Sequence, residues 1–305
     1  MAKLRCAVVG VGYLGRFHAQ KYKMIPEAEL VGVSDSNPER AKAMGDELLV
    51  TGYSDFKDLI GKVDAVTIAA TTRAHYDLAK FFLSHGVHVN VEKPMTTTVE
   101  EAKDLVRIAK EKNLKLQVGH VERFNPALQA ATKQLLKPLF IECHRLAPFK
   151  PRGVDVDVIL DLMIHDIDVI LSLVKSPVKS VSAVGTPVLT SLVDIANARI
   201  EFESGTIANI TSSRVSQSAT RKFRVFQQQQ YMSIDFGSGE VHLTTKNGEW
   251  KDDQIPLSIE SWNLEKGDAL LEETKAFVDS IVNNKPCVVS GEDGMVALQV
   301  SEMVR

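Results

Sequence analysis

An excess of one charge is missing from this sequence: 36 basic side chains stand against 39 acidic ones, for a net charge of -3. That balance leaves no electrostatic footprint for nucleic acid or an anionic membrane surface. Cysteine is scarce, limited to Cys6, Cys143 and Cys287. These lie far apart and form no C-x-x-C pair, so they read as reduced core or near-core thiols rather than disulfides or ligands. Apolar runs long enough to span a bilayer are missing too, and the first apolar run is already a strand ahead of a glycine turn rather than an export signal. A cytoplasmic protein that engages neither nucleic acid nor membrane is expected. At 305 residues, two ordinary domains with separate cores are expected.

What is present begins at Cys6-Ala7-Val8-Val9-Gly10-Val11-Gly12-Tyr13-Leu14-Gly15. It reads as a buried strand, a tight glycine turn and a helix, which together present backbone N–H groups and a helix N-terminus to a pyrophosphate. Gly10 permits the turn, Gly12 removes the side chain that would block the phosphates, and Gly15 lets the helix approach the strand. A second strand, Leu30 to Ser34, ends at Asp35, where the fingerprint wants an acid for the ribose 2′-hydroxyl. Asp35 favours NAD over NADP by repelling a 2′-phosphate, while Arg40 nearby pulls the other way. A near-continuous apolar strand, Val63 to Ala70, ends in Thr71-Thr72-Arg73 at the edge of the sheet where ligands lie. A helix from His75 to His85 follows, and the strand Val87 to Val91 runs into Glu92-Lys93-Pro94. Thr98 and Glu101 form a capping box for the helix through Lys112, and Leu114 to Val118 is one more strand. The alternation predicts an α/β domain over 1–119, a doubly wound parallel sheet that binds the cofactor.

After Gly119 the pattern changes to α+β, a substrate-binding domain over 120–305. Helices are predicted at Pro126 to Leu136 and Val156 to Val174. Strands follow at Val178 to Val188, Ile195 to Phe202, Thr206 to Arg214, Lys222 to Gln227, Met232 to Phe236 and Glu240 to Thr245. Tight turns between them predict an open antiparallel sheet flanked by helices. Helices at Leu264 to Val282 and Glu292 to Arg305 end the chain; the last is still periodic at Arg305 and is expected to pack back on the first domain. An uncovered sheet face would expose an apolar patch, so a homodimer or homotetramer through this sheet is expected. Chemistry is expected at Lys93, on the ligand edge of the parallel sheet, and at Asp161 and His165, four apart on one helix face. Hydride transfer from a carbinol needs a proton acceptor, and imidazole titrates near physiological pH. Each has a plainer reading: Lys93 as a solvated charge, Asp161 and His165 as a helix-stabilising pair. His75, His120 and His144 read as packing or capping groups. A metal site on Asp161, His165 and Asp168 lacks a cysteine or second histidine at ligand spacing, so no metal is expected.

Taken in order, these segments resemble the glucose-fructose oxidoreductase, inositol dehydrogenase and rhizopine-catabolism family (Gfo/Idh/MocA) over essentially the whole chain. Gly10-Val11-Gly12-Tyr13-Leu14-Gly15 matches its cofactor turn, Ala70-Thr71-Thr72 with His75 its T-P-x-x-x-H segment, and Glu92-Lys93-Pro94 its E-K-P signature. Asp161 and His165 match its Asp-x-x-x-His helix, with Asp168 in the trailing acidic position. The resemblance implies a Rossmann domain and a nicotinamide-dependent sugar or polyol oxidoreductase. Gly10, Gly12, Tyr13, Leu14, Gly15, Asp35, Arg40, Thr71, Thr72, His75 and Glu92 would hold the cofactor. Lys93 would polarise the reacting hydroxyl, His165 would act as acid/base and Asp161 would orient the substrate. A narrower likeness at Gly119–Pro126, Arg145–Arg152 and Asp161–Asp168 is to the branch that oxidises UDP-N-acetylglucosamine at C3, whose products feed amino-sugar synthesis for lipid A or surface glycans. Arg123, Arg145, Lys150 and Arg152 would then supply cations for the diphosphate. The chain departs from the family at Thr72-Arg73, where relatives have a proline-containing pair, and at Asp155-Val156-Asp157-Val158, where many have glycines. Both bear on which sugar is taken. A dehydrogenase of a free sugar, inositol or other polyol is the alternative within the class; a non-catalytic NAD-binding regulator is the alternative outside it.

Overall fold

Buried and mostly apolar runs at Cys6–Val9, Ala65–Ile68 and Val89–Val91, with Thr67 and Asn90 as their polar members, make the central strands of a parallel sheet, covered on both faces as such strands require. The computed structural model describes residues 2–135, 137–150, 156–249, 254–265 and 267–305. Arg152 and Asp155 lie outside the described residues. Two units are distinguished, one of residues 1–121 and 268–298, the other of 122–267 and 299–305.

In the first unit β1 (Leu4–Val9), α1 (Tyr13–Tyr22), β2 (Ala28–Ser34), α2 (Pro38–Leu48) and β3 (Thr51–Tyr53) precede β4 (Ala65–Ile68), α3 (Thr72–Ser84), β5 (His88–Glu92), α4 (Val99–Glu111) and β6 (Leu116–Gly119). The strand order is β3-β2-β1-β4-β5-β6, every pair parallel. The chain leaves β1 in one direction and resumes from β4 in the other, so the ligand-binding switch point falls at the carboxyl ends of β1 and β4. Local chemistry sets the helix starts. The Asn37 side chain accepts from the N–H groups of Glu39 and Arg40 ahead of Pro38, and Thr98 and Glu101 form the capping box. The helix expected from His75 begins three residues earlier, at Thr72. Strand β3 has only three residues and two exposed positions, too little pattern to be read from sequence.

The second unit carries α5 (Pro126–Thr132), β7 (Phe140–Leu146), a π-helical turn (Ile159–Met163), α6 (Ile164–Val174), β8 (Val178–Thr186), β9 (Ile195–Phe202), β10 (Ile207–Ser213), β11 (Thr220–Gln227), β12 (Gln230–Asp235), β13 (Glu240–Lys246) and β14 (Leu257–Asn263). Its sheet runs β14-β13-β12-β11-β7-β10-β9-β8. The expected antiparallel sheet is therefore mixed: β7 lies in the middle, antiparallel to β11 and parallel to β10. The long connection from β7 through α6, β8 and β9 permits the parallel pairing that a tight turn cannot make. Ile141, Cys143, Ile210, Val225 and Phe223 face a core that also takes Ile159, Met163 and Ile167.

The chain ends in α7 (Ala269–Val282) and α8 (Gly291–Val304). Residues 268–298 group with the first unit, where Phe277 and Val278 of α7 join Val8, Tyr22 and Val33 in the core. Val300 and Val304 belong to the second core. Among the described residues no helix is long and apolar enough to cross a membrane.

Candidate active site

At the end of β1 the backbone leaves Gly10 at φ +85, and a Cβ there would stand 2.7 Å from the Ala70 backbone. Gly15 lies under the Gly10 carbonyl, where a Cβ would overlap the oxygen. Gly12 differs: nothing lies within 4 Å of where its Cβ would be. The space beside it is open, and α1 starts there with Tyr13 and Leu14 exposed. Asp35 closes the other side, its Oδ2 accepting from the Val11 N–H at 3.0 Å and its Oδ1 from the Asn37 N–H at 2.9 Å. Arg40 Nη1 lies 3.4 Å from Asp35 Oδ2 with its side chain half exposed. Gly10, Gly12, Asp35, Arg40 and Thr71 line one cleft of about 540 Å³. Ser54, Asp55 and Phe56 line it as well; with β3 unread, sequence reasoning missed them. These features fit a dinucleotide: a bare helix N-terminus for phosphates, a cleft beside it, and an acid at the end of β2.

Two residues expected on the cofactor are turned inward. His75 is buried, with Nδ1 2.9 Å from the Pro94 carbonyl oxygen and Nε2 3.1 Å from that of Ala70. Burial holds its pKa below the ordinary value despite those carbonyls, and the neutral ring, with one N–H, donates to one of them and packs its other nitrogen against the second. Glu92 points into the core, where Oε1 accepts from His18 Nε2 at 2.7 Å and Oε2 from the Lys93 N–H at 3.2 Å. Both residues make hydrogen bonds that fix the loops around the carboxyl ends of β4 and β5. Lys93 follows at the carboxyl end of β5, and the Lys93–Pro94 bond is cis.

In the second unit Asp161 sits in the π turn, where the Ile164 N–H reaches back to the Ile159 carbonyl. Asp161 lies in this turn, and His165 stands in the first turn of α6, which follows it directly. The entry to this helix is pinned. Leu160 N–H donates to Asp157 Oδ1, Arg214 Nη1 donates to the Val156 carbonyl at 2.7 Å, and Arg214 Nε donates to Asp194 at 2.8 Å. Asp194 in turn accepts the N–H groups of Val188, Leu189 and Thr190.

The residues beside His165 are held by two arginines. Arg123 pairs bidentately with Asp168 at 2.6 and 2.8 Å. Arg145, 4% exposed, donates Nε and Nη2 to Asp166 and Nη1 to Glu122. Arg145 is therefore not a surface cation awaiting a diphosphate, and Arg123 is engaged by Asp168; both fix the helix that carries His165. Alternation along β7 gives the reason, placing Arg145 in the inward row with Ile141 and Cys143. Lys150 is exposed.

Comparison with known proteins places these features in context. A family model described as an oxidoreductase family with an NAD-binding Rossmann fold matches residues 4–120, and the GFO/IDH/MocA C-terminal domain matches 144–232. The chain is 39% identical over 306 residues to UDP-N-acetylglucosamine 3-dehydrogenase of Acidithiobacillus ferrooxidans, covering 100% of this chain and 97% of that protein. It is 28% identical to myo-inositol 2-dehydrogenase of Thermotoga maritima, covering 97% and 93%. A solved structure of the Acidithiobacillus enzyme matches with a TM-score of 0.92 at 38% identity, over 100% of this chain and 97% of that one.

Proposed function

The chain belongs to the GFO/IDH/MocA oxidoreductase family, and from that premise we propose that it oxidises a secondary hydroxyl of a sugar nucleotide, the 3-hydroxyl of UDP-N-acetylglucosamine, with NAD as the partner. Bound nicotinamide supplies the hydride acceptor. Lys93 donates a hydrogen bond to the reacting hydroxyl oxygen and stabilises its developing negative charge. His165 takes the hydroxyl proton as the carbinol C–H electrons leave, so the alcohol becomes a ketone and the proton stays on the imidazole. Asp161 orients the sugar. Asp35 takes the adenosine ribose hydroxyls, which favours NAD, and the exposed Lys150 remains available to the diphosphate.

The observation that carries this reading is a likeness running the full length of a sugar-nucleotide dehydrogenase, in a chain that keeps Lys93, Asp161 and His165 where the family pattern wants them. The reduced-nicotinamide absorbance band tests it, with UDP-N-acetylglucosamine, free N-acetylglucosamine and inositol supplied in parallel, each with NAD and with NADP. The band is expected to rise with the UDP-sugar and NAD alone, and His165→Ala is expected to lower kcat by about 10²–10⁴-fold. A rise with inositol instead would move the substrate to a free polyol, the reading favoured by the 28% identity to the inositol enzyme.

The second unit's sheet also supports self-association. Phe140, Phe226 and Tyr231 lie directly across neighbouring strands, with ring centroids 5.6 and 4.9 Å apart. By alternation they occupy the face opposite Ile141, Val225 and Met232 of the core. An aromatic band on an outer sheet face is the kind of surface that a second copy covers. Light scattering at micromolar concentration is expected to give a dimer or tetramer mass; a monomer mass would end this reading.

A further inference from the structure

Beneath α1, in the first unit, lies a set of buried polar groups that the chemistry above leaves unused. His18 on α1 and Glu273 on α7 are wholly inaccessible to solvent, and Glu92 at the end of β5 is nearly so. One nitrogen or oxygen from each lies within 4.8 Å of the others. Their surroundings are polar as well: Asn90 Nδ2 donates to Glu273 Oε1 at 3.3 Å, Gln117 Nε2 donates to the Glu273 carbonyl at 3.2 Å, and Tyr22 shares a hydrogen bond with Thr67. His18 Nδ1, Gln117 Oε1 and Glu273 Oε2 are buried without a hydrogen-bond partner among the described residues. Stability does not explain such a cluster, since apolar side chains of equal volume do as well as a buried ion pair or better.

What the cluster does fix is direction. The Glu92 carboxylate is held from both sides, Oε1 by His18 at 2.7 Å and Oε2 by the Lys93 N–H at 3.2 Å. Gly119 on β6 makes room for it, since a Cβ there would stand 3.0 Å from Glu92 Cδ. The carboxylate thus links a rigid helix to the first residue of the turn that carries Lys93, and His75 holds the next residue through the Pro94 carbonyl. We infer that His18 is a positioning residue for Lys93, acting through Glu92 to hold the lysine's turn in one pose. The inference rests on the reading of Lys93 as the group that polarises the substrate hydroxyl.

Steady-state kinetics on His18→Leu, His18→Gln and His18→Asn test it. Leucine fills the space without a donor, glutamine returns an N–H at similar reach, and asparagine is too short to meet Glu92. In the leucine and asparagine variants kcat is expected to fall roughly ten- to a hundredfold, as a misplaced catalytic group does. The NAD dissociation constant stays unchanged, because the cradle is built from Gly10, Gly12 and Asp35. Glutamine is expected to recover most of kcat. In a Lys93→Ala background, His18→Leu is expected to add no further loss, because the residue it acts through is gone. Should the leucine variant fail to fold, the asparagine and glutamine pair carries the comparison. Wild-type kcat in folded His18→Asn, with only the melting temperature lowered, would overturn the inference. So would a divalent metal retained one-to-one by the purified protein and lost with His18. Full activity in Lys93→Ala would instead sink the parent reading, so the two failures are distinguishable.

Discussion

Replacing Arg145 by methionine is expected to destabilise the fold by about 3–5 kcal/mol, the range for removing one partner of a buried ion pair. The guanidinium is nearly inaccessible and divides three hydrogen bonds of 2.8–2.9 Å between Asp166 and Glu122. Both acids are themselves buried. Burial opposes the charge on Arg145, yet the two carboxylates outweigh it and raise its pKa above the ordinary value. Without the arginine Asp166 loses that cation and Glu122 keeps only the half-exposed Arg221 at 3.8 Å, so the two buried carboxylates must take up protons or admit water. The same logic predicts rescue: a variant that also turns Glu122 and Asp166 into glutamine and asparagine should recover much of the loss, since a neutral set needs no counter-ion. Exposed pairs set the contrast. Arg5 and Asp64 lie 2.6 Å apart with side chains 43% and 37% accessible, where water and salt screen the pair and removing one partner leaves no buried charge behind. Urea unfolding of both variants beside the wild type measures this, and Arg145→Met with wild-type stability would show that the pair carries no weight. Because Asp166 follows His165 in the chain, kcat is expected to fall with stability in Arg145→Met.

Parallel strands and their helices were legible from sequence because both faces are buried and the apolar runs are nearly continuous, as at Val63 to Ala70, interrupted by Asp64 and Thr67. The glycine turn was equally legible: Gly10, Gly12 and Gly15 each answer a different steric demand, and only Gly12 faces open space. Strand β7 was not legible, since Glu142, His144 and Arg145 fill three of its seven positions and hide an alternation that is apolar inward only at Ile141 and Cys143. Losing β7 removed the parallel pair with β10 and with it the reason Arg145 is buried, so a basic side chain near a candidate substrate site read as a phosphate ligand. Glu92 shows the same dependence on distant partners. Its place beside Lys93 in a signature segment suggests a ligand to the cofactor, while its partners, His18 and Glu273, lie 74 and 181 residues away in sequence, and no local pattern joins them. The π turn around Asp161 likewise changes the pitch of the helix without leaving a mark on the four-residue spacing. Short-range chemistry was readable throughout; which charged side chains are neutralised inside the fold is a long-range property.

Replacing Glu273 by glutamine is expected to stabilise the protein at alkaline pH and to leave it nearly unchanged at pH 4.5. The Glu273 carboxyl is pushed up to about 8 from its ordinary 4.5, by burial first and by the charge of Glu92 second, with His18 and the Asn90 hydrogen bond pulling the other way. Its neighbours are displaced in the opposite sense to one another. Burial works against charge on both, but their mutual hydrogen bond and attraction outweigh it, so His18 titrates above its ordinary value and Glu92 below. The cluster therefore favours charge on His18 and Glu92 and keeps the proton on Glu273 near neutrality. Between pH 4.5 and about 8 the folded chain keeps a proton on Glu273 that the unfolded chain has released, so stability falls with rising pH across that window and is level above it. The whole interval amounts to a penalty on the order of 4 kcal/mol at pH 8. Glutamine keeps the shape and the neutral state and carries no such slope. Urea midpoints of wild type and Glu273→Gln at pH 4.5, 6.5 and 8 should coincide at the acid end and diverge progressively toward the alkaline end. A Glu92→Gln background should narrow the divergence, because the second cause of the raised Glu273 value is then absent. Curves that run parallel in wild type and Glu273→Gln would mean that Glu273 is ionised in the folded protein and that the cluster holds one more negative charge than its geometry implies.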